Sequence, residues 1–343
     1  MIRDTIVASA PAKVILLGGK AVNYGHPALV AAVGLRTMCT LRSTGAADDY
    51  RLASGERSEV GDRGSLREFK ARVDALREGK RYDDISALAR EDYFAPTRYV
   101  LAHLAERTGA LGIDVSWTSE IPVGSGLGSG AAASASLVVA ALRAAGASAT
   151  PREVAWLAWQ GDVIAHGGLG TGLDSGASAL GGVARYSLGD GPAPVSAPVT
   201  PPLVIGDTLL RASTAASNIA SRNWLGEHPM RMHLMAEIGM LVAQAETALR
   251  AGDLPTLGHL MNLNHLIKEK LGMSVPKTEQ LIEAALGAGA LGAKISGKGN
   301  GGIIVALAGA DRRAAVAAAI EAAGGKAIVP EVGVEGARIE DHA

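Results

Sequence analysis

Cysteine is almost absent: Cys39 is the only one in 343 residues. An intrachain disulfide is therefore impossible and a thiolate metal cluster is excluded, which fits a reducing compartment. Aromatic residues make up 3% of the chain against 48% hydrophobic residues overall, so alanine, glycine and aliphatic side chains must do most of the packing. No apolar run approaches the roughly 18 residues of a membrane-spanning helix, and the opening Met1-Ile-Arg-Asp-Thr5 lacks the basic-then-apolar order of a secretory signal. With 33 basic and 34 acidic side chains and no sustained basic stretch, there is no electrostatic footprint for nucleic acid or an acidic membrane. Also missing is the string Gly-x-x-x-x-Gly-Lys-Ser/Thr, which removes a P-loop. Together these absences predict a cytoplasmic globular protein, of one large domain or two ordinary ones, with neither nucleic acid nor membrane favoured as a partner.

What is present is phosphate chemistry. Ile121-Pro-Val-Gly124-Ser125-Gly126-Leu127-Gly128-Ser129-Gly130 runs directly into the alanine-rich stretch Ala131–Ala145. Alternate glycines allow a tight turn that brings backbone N–H groups onto one anion, and the following helix adds the positive end of its dipole. A dinucleotide fold is disfavoured, because the glycines fall at every second position and no strand-borne acid follows at the expected distance. A flexible linker is the alternative, disfavoured because linkers are seldom flanked by a strand-like segment such as Ile113–Trp117 and a long helix.

Along the chain, Thr5–Leu17 reads as an extended segment, a turn at Pro11 and a buried strand that carries Lys13 beside the core. Residues 27–42 predict paired strands, 46–64 a polar surface stretch, and 65–109 a helical cap. Thr150 and Pro151 open a helix through Trp156 and Trp159, whose spacing predicts one buried face, and it ends near His166. A second glycine-rich segment, Gly167–Gly176, precedes a strand at 181–186. The proline- and glycine-rich stretch from Ser187 to Pro202 marks a junction, dividing the chain into 1–187 and 188–343. Beyond it lie a strand at 202–206, helices at 229–251, 254–271 and 278–288, a strand–glycine turn–strand unit at 293–306, a helix at 311–323 and terminal strands at 326–338, an α+β layer.

Three motifs in order resemble the superfamily of galactokinase, homoserine kinase, mevalonate kinase and phosphomevalonate kinase: Ala10-Pro-Ala-Lys13 through Gly25, Pro122–Ala132, and Lys294-Ile-Ser-Gly-Lys298-Gly-Asn-Gly-Gly302. Within it, Asn262–His265 and Leu271–Pro276 make the chain most similar to bacterial and archaeal mevalonate kinases. The resemblance implies an α+β fold of two domains, an N-terminal domain of the ribosomal protein S5 domain 2 type and a ferredoxin-like C-terminal domain, with the site between them. It implies phosphoryl transfer from ATP, with Mg²⁺, to a small-molecule hydroxyl, that of mevalonate or a phosphorylated relative, in isoprenoid precursor synthesis, and a homodimer as one possible assembly. Asp174 then matches the acid that takes or orients the hydroxyl proton and Lys13 its neighbouring cation. Asp162 matches the Mg²⁺ ligand, Gly124 to Gly130 with Lys298 the phosphate contacts, and Lys20, His166 and Thr171 the substrate side. The bare residues leave His166 open as a helix cap, and Arg222, Asn223 and Trp224 as either a substrate lip or a surface loop.

Five positions depart from the family's pattern. Gly19 and Lys20 stand in place of a glutamate and a histidine, Gly130 in place of a second serine that helps to hold the metal, and Lys298 with Asn300 in place of small residues. A lost hydroxyl and gained ammonium groups imply a weakened metal dependence or a more anionic acceptor. A sugar kinase, an ATP-assisted decarboxylase and a retired phosphate-binding relative are the alternatives, since fold does not fix function.

Overall fold

The computed structural model describes residues 5–44, 48–109, 112–211, 223–297 and 299–340. In chain order its elements are β1 (Thr5–Leu17), a 3₁₀ turn (Gly19–Tyr24), β2 (Ala28–Ser43), β3 (Asp49–Ser54), β4 (Arg57–Asp62), α1 (Arg63–Glu78), α2 (Tyr82–Glu91), α3 (Ala95–Thr108), β5 (Ile113–Ser119), α4 (Ser129–Ala144), α5 (Pro151–Ala165) and α6 (Leu173–Leu180). There follow β6 (Val183–Ser187), β7 (Gly191–Pro194), β8 (Leu203–Asp207), α7 (His233–Ala251), α8 (Leu254–Lys270), α9 (Pro276–Gly287), β9 (Gly292–Ser296), β10 (Ile303–Leu307), α10 (Arg313–Ala322), β11 (Lys326–Ile328) and β12 (Arg338–Ile339).

Two sheets organise the chain. The first has the order β12-β1-β2-β5-β3-β4, with β6 and β7 continuing from the start of β2; among the described residues only β3 and β5 pair in parallel. The second is antiparallel, β11-β8-β10-β9. The hairpin β6–β7 carries the first sheet to Pro194, past the 187/188 division, and β12 returns residues 338–339 to it. Helix α4 packs on β1 and β2 with Ala132, Ala135 and Ala140 in the shared core, and these short side chains let the helix sit close to the strands in a core poor in rings. Helices α8, α9 and α10 cover the second sheet. Among the described residues no helix is long and apolar enough to cross a membrane.

Several local expectations change. Pro11 makes no turn: β1 continues through it, and the register jumps from Pro11↔Arg36 to Ala12↔Val33, a bulge where proline has no N–H to give the ladder. Residues 28–43 form one long strand that serves β1, β5 and β6 in turn. The polar stretch 46–64 contains the β3–β4 hairpin, with Tyr50 and Leu52 turned into the core. Trp156 is 51% exposed and not core, whereas Trp159 packs partly buried and donates from Nε1 to Gly170 O at 2.7 Å. The start of α5 is as expected: Thr150 and Glu153 cap each other's backbone N–H, and Pro151 occupies the first turn.

Candidate active site

Between the sheets lies a cleft of about 260 Å³, lined by β1, the 3₁₀ turn, the glycine loop, the first turn of α4, the end of α5, the start of α6, Met273 and Gly297. The loop alternates like a strand. Gly124, Gly126 and Gly128 face the cleft with φ of +72°, +94° and +82°, while Ser125 and Leu127 point inward. Ser125 Oγ donates to Pro122 O at 2.7 Å and Leu127 lies in the core, so these two anchor the loop and offer a ligand only their backbone. Gly128 is the N-cap of α4 and no side chain caps the helix, which leaves its first N–H groups, at Ser129, Gly130 and Ala131, turned to the cleft.

Lys13, 2% exposed, enters beneath this loop. Its Nζ donates to Gly126 O at 2.9 Å and lies 3.0 Å from Asp174 Oδ1, and its backbone N–H donates to Leu127 O at 2.9 Å. Asp174 sits in the first turn of α6, where the helix dipole favours a negative charge. The segment before it is pinned by Trp159 on Gly170 O and by Tyr186 Oη on Thr171 O. Asp162 reaches the cleft from the last turn of α5. It accepts from Ser175 Oγ and, at 3.3 Å, from Ser175 N. Burial raises its pKa to about 6, with His166 pulling down and Asp174 pushing up. His166 is both the C-cap of α5 and a cleft residue, and Lys20 and Thr171 also line the space. Lys298 and Arg222 lie outside the described residues.

Asp162, from α5, and Ser129, from the first turn of α4, both offer oxygen ligands to the cleft. The described residues hold no cluster of three or more His, Cys, Asp or Glu side chains suited to a metal. That set suits a hard cation which keeps most of its waters and shares ligand phosphates, as Mg²⁺ does.

Two buried lysines were given no role from the sequence, although Lys294 opens the third motif. Lys268 and Lys294 are both fully buried behind the wall that Ile15 and Gly297 present to the cleft. Lys294 stands within the wholly buried strand β9, the same signal that drew attention to Lys13. Lys268 continues the buried face of α8 at the helical spacing Met261, Asn264, His265, Lys268. Ser296 was also missed; its Oγ accepts from Ile15 N at 2.8 Å and joins the second sheet to β1.

Family models for the GHMP kinases N terminal domain and GHMP kinases C terminal match residues 96–182 and 245–326. The chain is 35% identical to the mevalonate kinase of Pyrococcus horikoshii over 98% of both chains. The crystal structure of L. major mevalonate kinase in complex with R-mevalonate superposes with a TM-score of 0.71 at 26% identity, covering 96% of each chain. Lactococcus lactis galactokinase complexed with galactose shares the fold, with a TM-score of 0.74 at 19% identity over 98% of this chain and 95% of that one.

Proposed function

Because the chain belongs to the GHMP kinase family, we propose that it moves the terminal phosphoryl group of ATP onto the hydroxyl of a small alcohol, with mevalonate as the acceptor. The observation that carries this reading is the 3.0 Å contact of Lys13 with Asp174 at the mouth of an uncapped helix and its glycine loop. A protein that only bound phosphate would have no use for a buried lysine paired with a cleft-facing acid at that place. In the proposed reaction the loop amides hold the nucleotide's phosphates, and Asp174 takes the proton as the acceptor oxygen attacks the terminal phosphorus. ADP leaves and a phosphate ester remains. Lys13 offsets the charge that develops on the attacking oxygen, and its bonds to Gly126 O and Asp174 hold it there without reorganisation.

Asp162, with Ser129, is the group that would hold Mg²⁺, whose part is to neutralise phosphate charge. Gly130 contributes no hydroxyl, and we assign to Lys20 part of the positive charge on the cleft wall, so that the metal demand is weaker than in relatives with a second serine. Thr171 and His166 flank the acceptor's place beside Asp174.

ADP release from ATP measured with mevalonate, galactose and homoserine in turn tests the assignment. Mevalonate should support turnover, and Asp174→Asn and Lys13→Met should each lower kcat by roughly 10²–10⁴-fold with circular dichroism unchanged. Turnover at the full rate in Asp174→Asn would remove the acid's role. Turnover only with a sugar would move the acceptor.

A further inference from the structure

The lysines behind the cleft do more than fill space. Lys268 Nζ donates to Gly297 O at 3.1 Å and to Ile295 O at 3.3 Å, and Lys294 Nζ donates to Ile295 O at 2.5 Å and to Ile15 O at 3.2 Å. Lys13 does the same for Gly126 O. Three lysine amino groups thus occupy carbonyl oxygens of the segments that wall the phosphate site, oxygens whose negative dipoles would otherwise oppose an anion. Lys13 has Asp174 as its counter-ion. Among the described residues no carboxylate comes within ion-pair distance of Lys268 or Lys294, and both are 0% exposed.

The groups that act on Lys268 are mostly cationic. Lys13 comes from β1, Lys20 from the 3₁₀ turn and Lys294 from β9. On its own helix His265 faces the same interior and is held by Glu279 of α9 at 3.1 Å, and burial keeps this imidazole below its usual range. An ammonium enclosed by two carbonyls and several cations is costly, so the neutral amine takes over above about pH 7 while the cleft holds no anion. Burial, followed by repulsion from Lys13 and Lys20, brings Lys268 down to about 7. A polyphosphate at the glycine loop reverses the sign of the local field.

We propose that Lys268 is a positioning residue that takes a proton from solvent as a polyphosphate enters the cleft, its ammonium then fixing Gly297 and Ile295 against the phosphate loop. The inference rests on the kinase reading for the identity of the natural anion, but its physics needs only the anion. Charge is placed where phosphate binds only when phosphate is there, and the empty protein is spared a buried, unpaired cation.

The test is calorimetric titration of ADP, and separately of inorganic tripolyphosphate, into the whole protein at pH 8 in buffers of different ionisation enthalpy. Lys268→Met and Lys268→Arg are titrated alongside. Wild type should take up a substantial fraction of one proton per site, and its affinity should weaken by up to tenfold per pH unit above about pH 7. Lys268→Met removes a buried charge without opening a cavity, so it should stay folded by thermal melting, bind several-fold more weakly and take up no proton there. Lys268→Arg stays protonated throughout and should also lose the uptake. Equal proton uptake in wild type and Lys268→Met, or none in wild type, overturns the inference. Lys268-dependent uptake with tripolyphosphate but no binding of ADP would uphold it and overturn the kinase reading instead.

Discussion

At residue scale the two glycines at the start of α4 make opposite demands. Gly128 holds φ +82°, and a Cβ there would lie 3.1 Å from Lys13 Cε and 3.3 Å from its Cγ. The left-handed conformation alone costs an alanine roughly 1–2 kcal/mol, and the collision would push Lys13 off Gly126 O and Asp174. Gly128→Ala should therefore lower the melting temperature by several degrees and cut turnover by about 100-fold, since reacting groups tolerate little displacement. Gly130 is different: a Cβ there meets nothing within 4 Å. Gly130→Ser should fold as wild type, gain up to about 0.5 kcal/mol of helix propensity and set a second hydroxyl next to Ser129. If the missing hydroxyl is what weakens metal binding, the Mg²⁺ concentration for half-maximal turnover should fall by about tenfold in this variant. No change in that concentration, with turnover intact, would show that Gly130 does not set the metal demand.

At the scale of elements, helix α8 and strand β9 bring Lys268 and Lys294 together, and they do so by touching backbone to backbone. A Cβ on Gly292 would lie 2.1 Å from Gly258 O, and one on Gly258 would lie 2.6 Å from Leu291 C. Neither neighbour is a movable side chain. Gly258→Val should destabilise the protein by roughly 1–3 kcal/mol in urea unfolding by prising α8 from the sheet, whereas Gly287→Ala, near the end of α9 where a Cβ meets open space, should stabilise it by roughly 0.5–1 kcal/mol. Equal stability of the two variants would mean that the α8–β9 contact yields easily. Legibility in the sequence followed the same physics. Elements with local punctuation, such as the Thr150–Pro151 start of α5 and the glycine loop before α4, could be read directly. The β3–β4 hairpin could not, because only Tyr50 and Leu52 of β3 point inward while its other residues are mostly polar and partly or fully exposed. Lys13 stood out as a charge within an apolar strand. Lys268 did not, because its burial depends on which face of α8 meets β9, and that contact is made by glycines carrying no pattern of their own.

For the whole molecule, the last described residues tie the first sheet to the helix that carries the acid. Val332 bridges Val33, Glu335 bridges Gly181, and β12 pairs with β1 at Ala8↔Ile339. Ala337 N donates to Ala179 O at 3.3 Å, in the last turn of α6, whose first turn bears Asp174. Arg36 clamps this arrangement, donating from Nε to Ser9 Oγ at 2.6 Å, from Nη1 to Glu335 O at 2.9 Å and from Nη2 to Gly336 O at 2.8 Å. Its replacement leaves those oxygens without their charged donor, so Arg36→Ala should cost roughly 1.5–3 kcal/mol in urea unfolding. Removing residues 330–343 goes further, because it frees the rear of α6 and uncovers the part of α4 that β12 touches, while leaving the glycine loop in place. That variant should bind ADP within a few-fold of the full chain yet turn over at least tenfold more slowly, since the loop survives and the placement of Asp174 does not. An unchanged kcat in the shortened chain would mean that Trp159 and Tyr186 alone position the acid, and that the tail serves stability only.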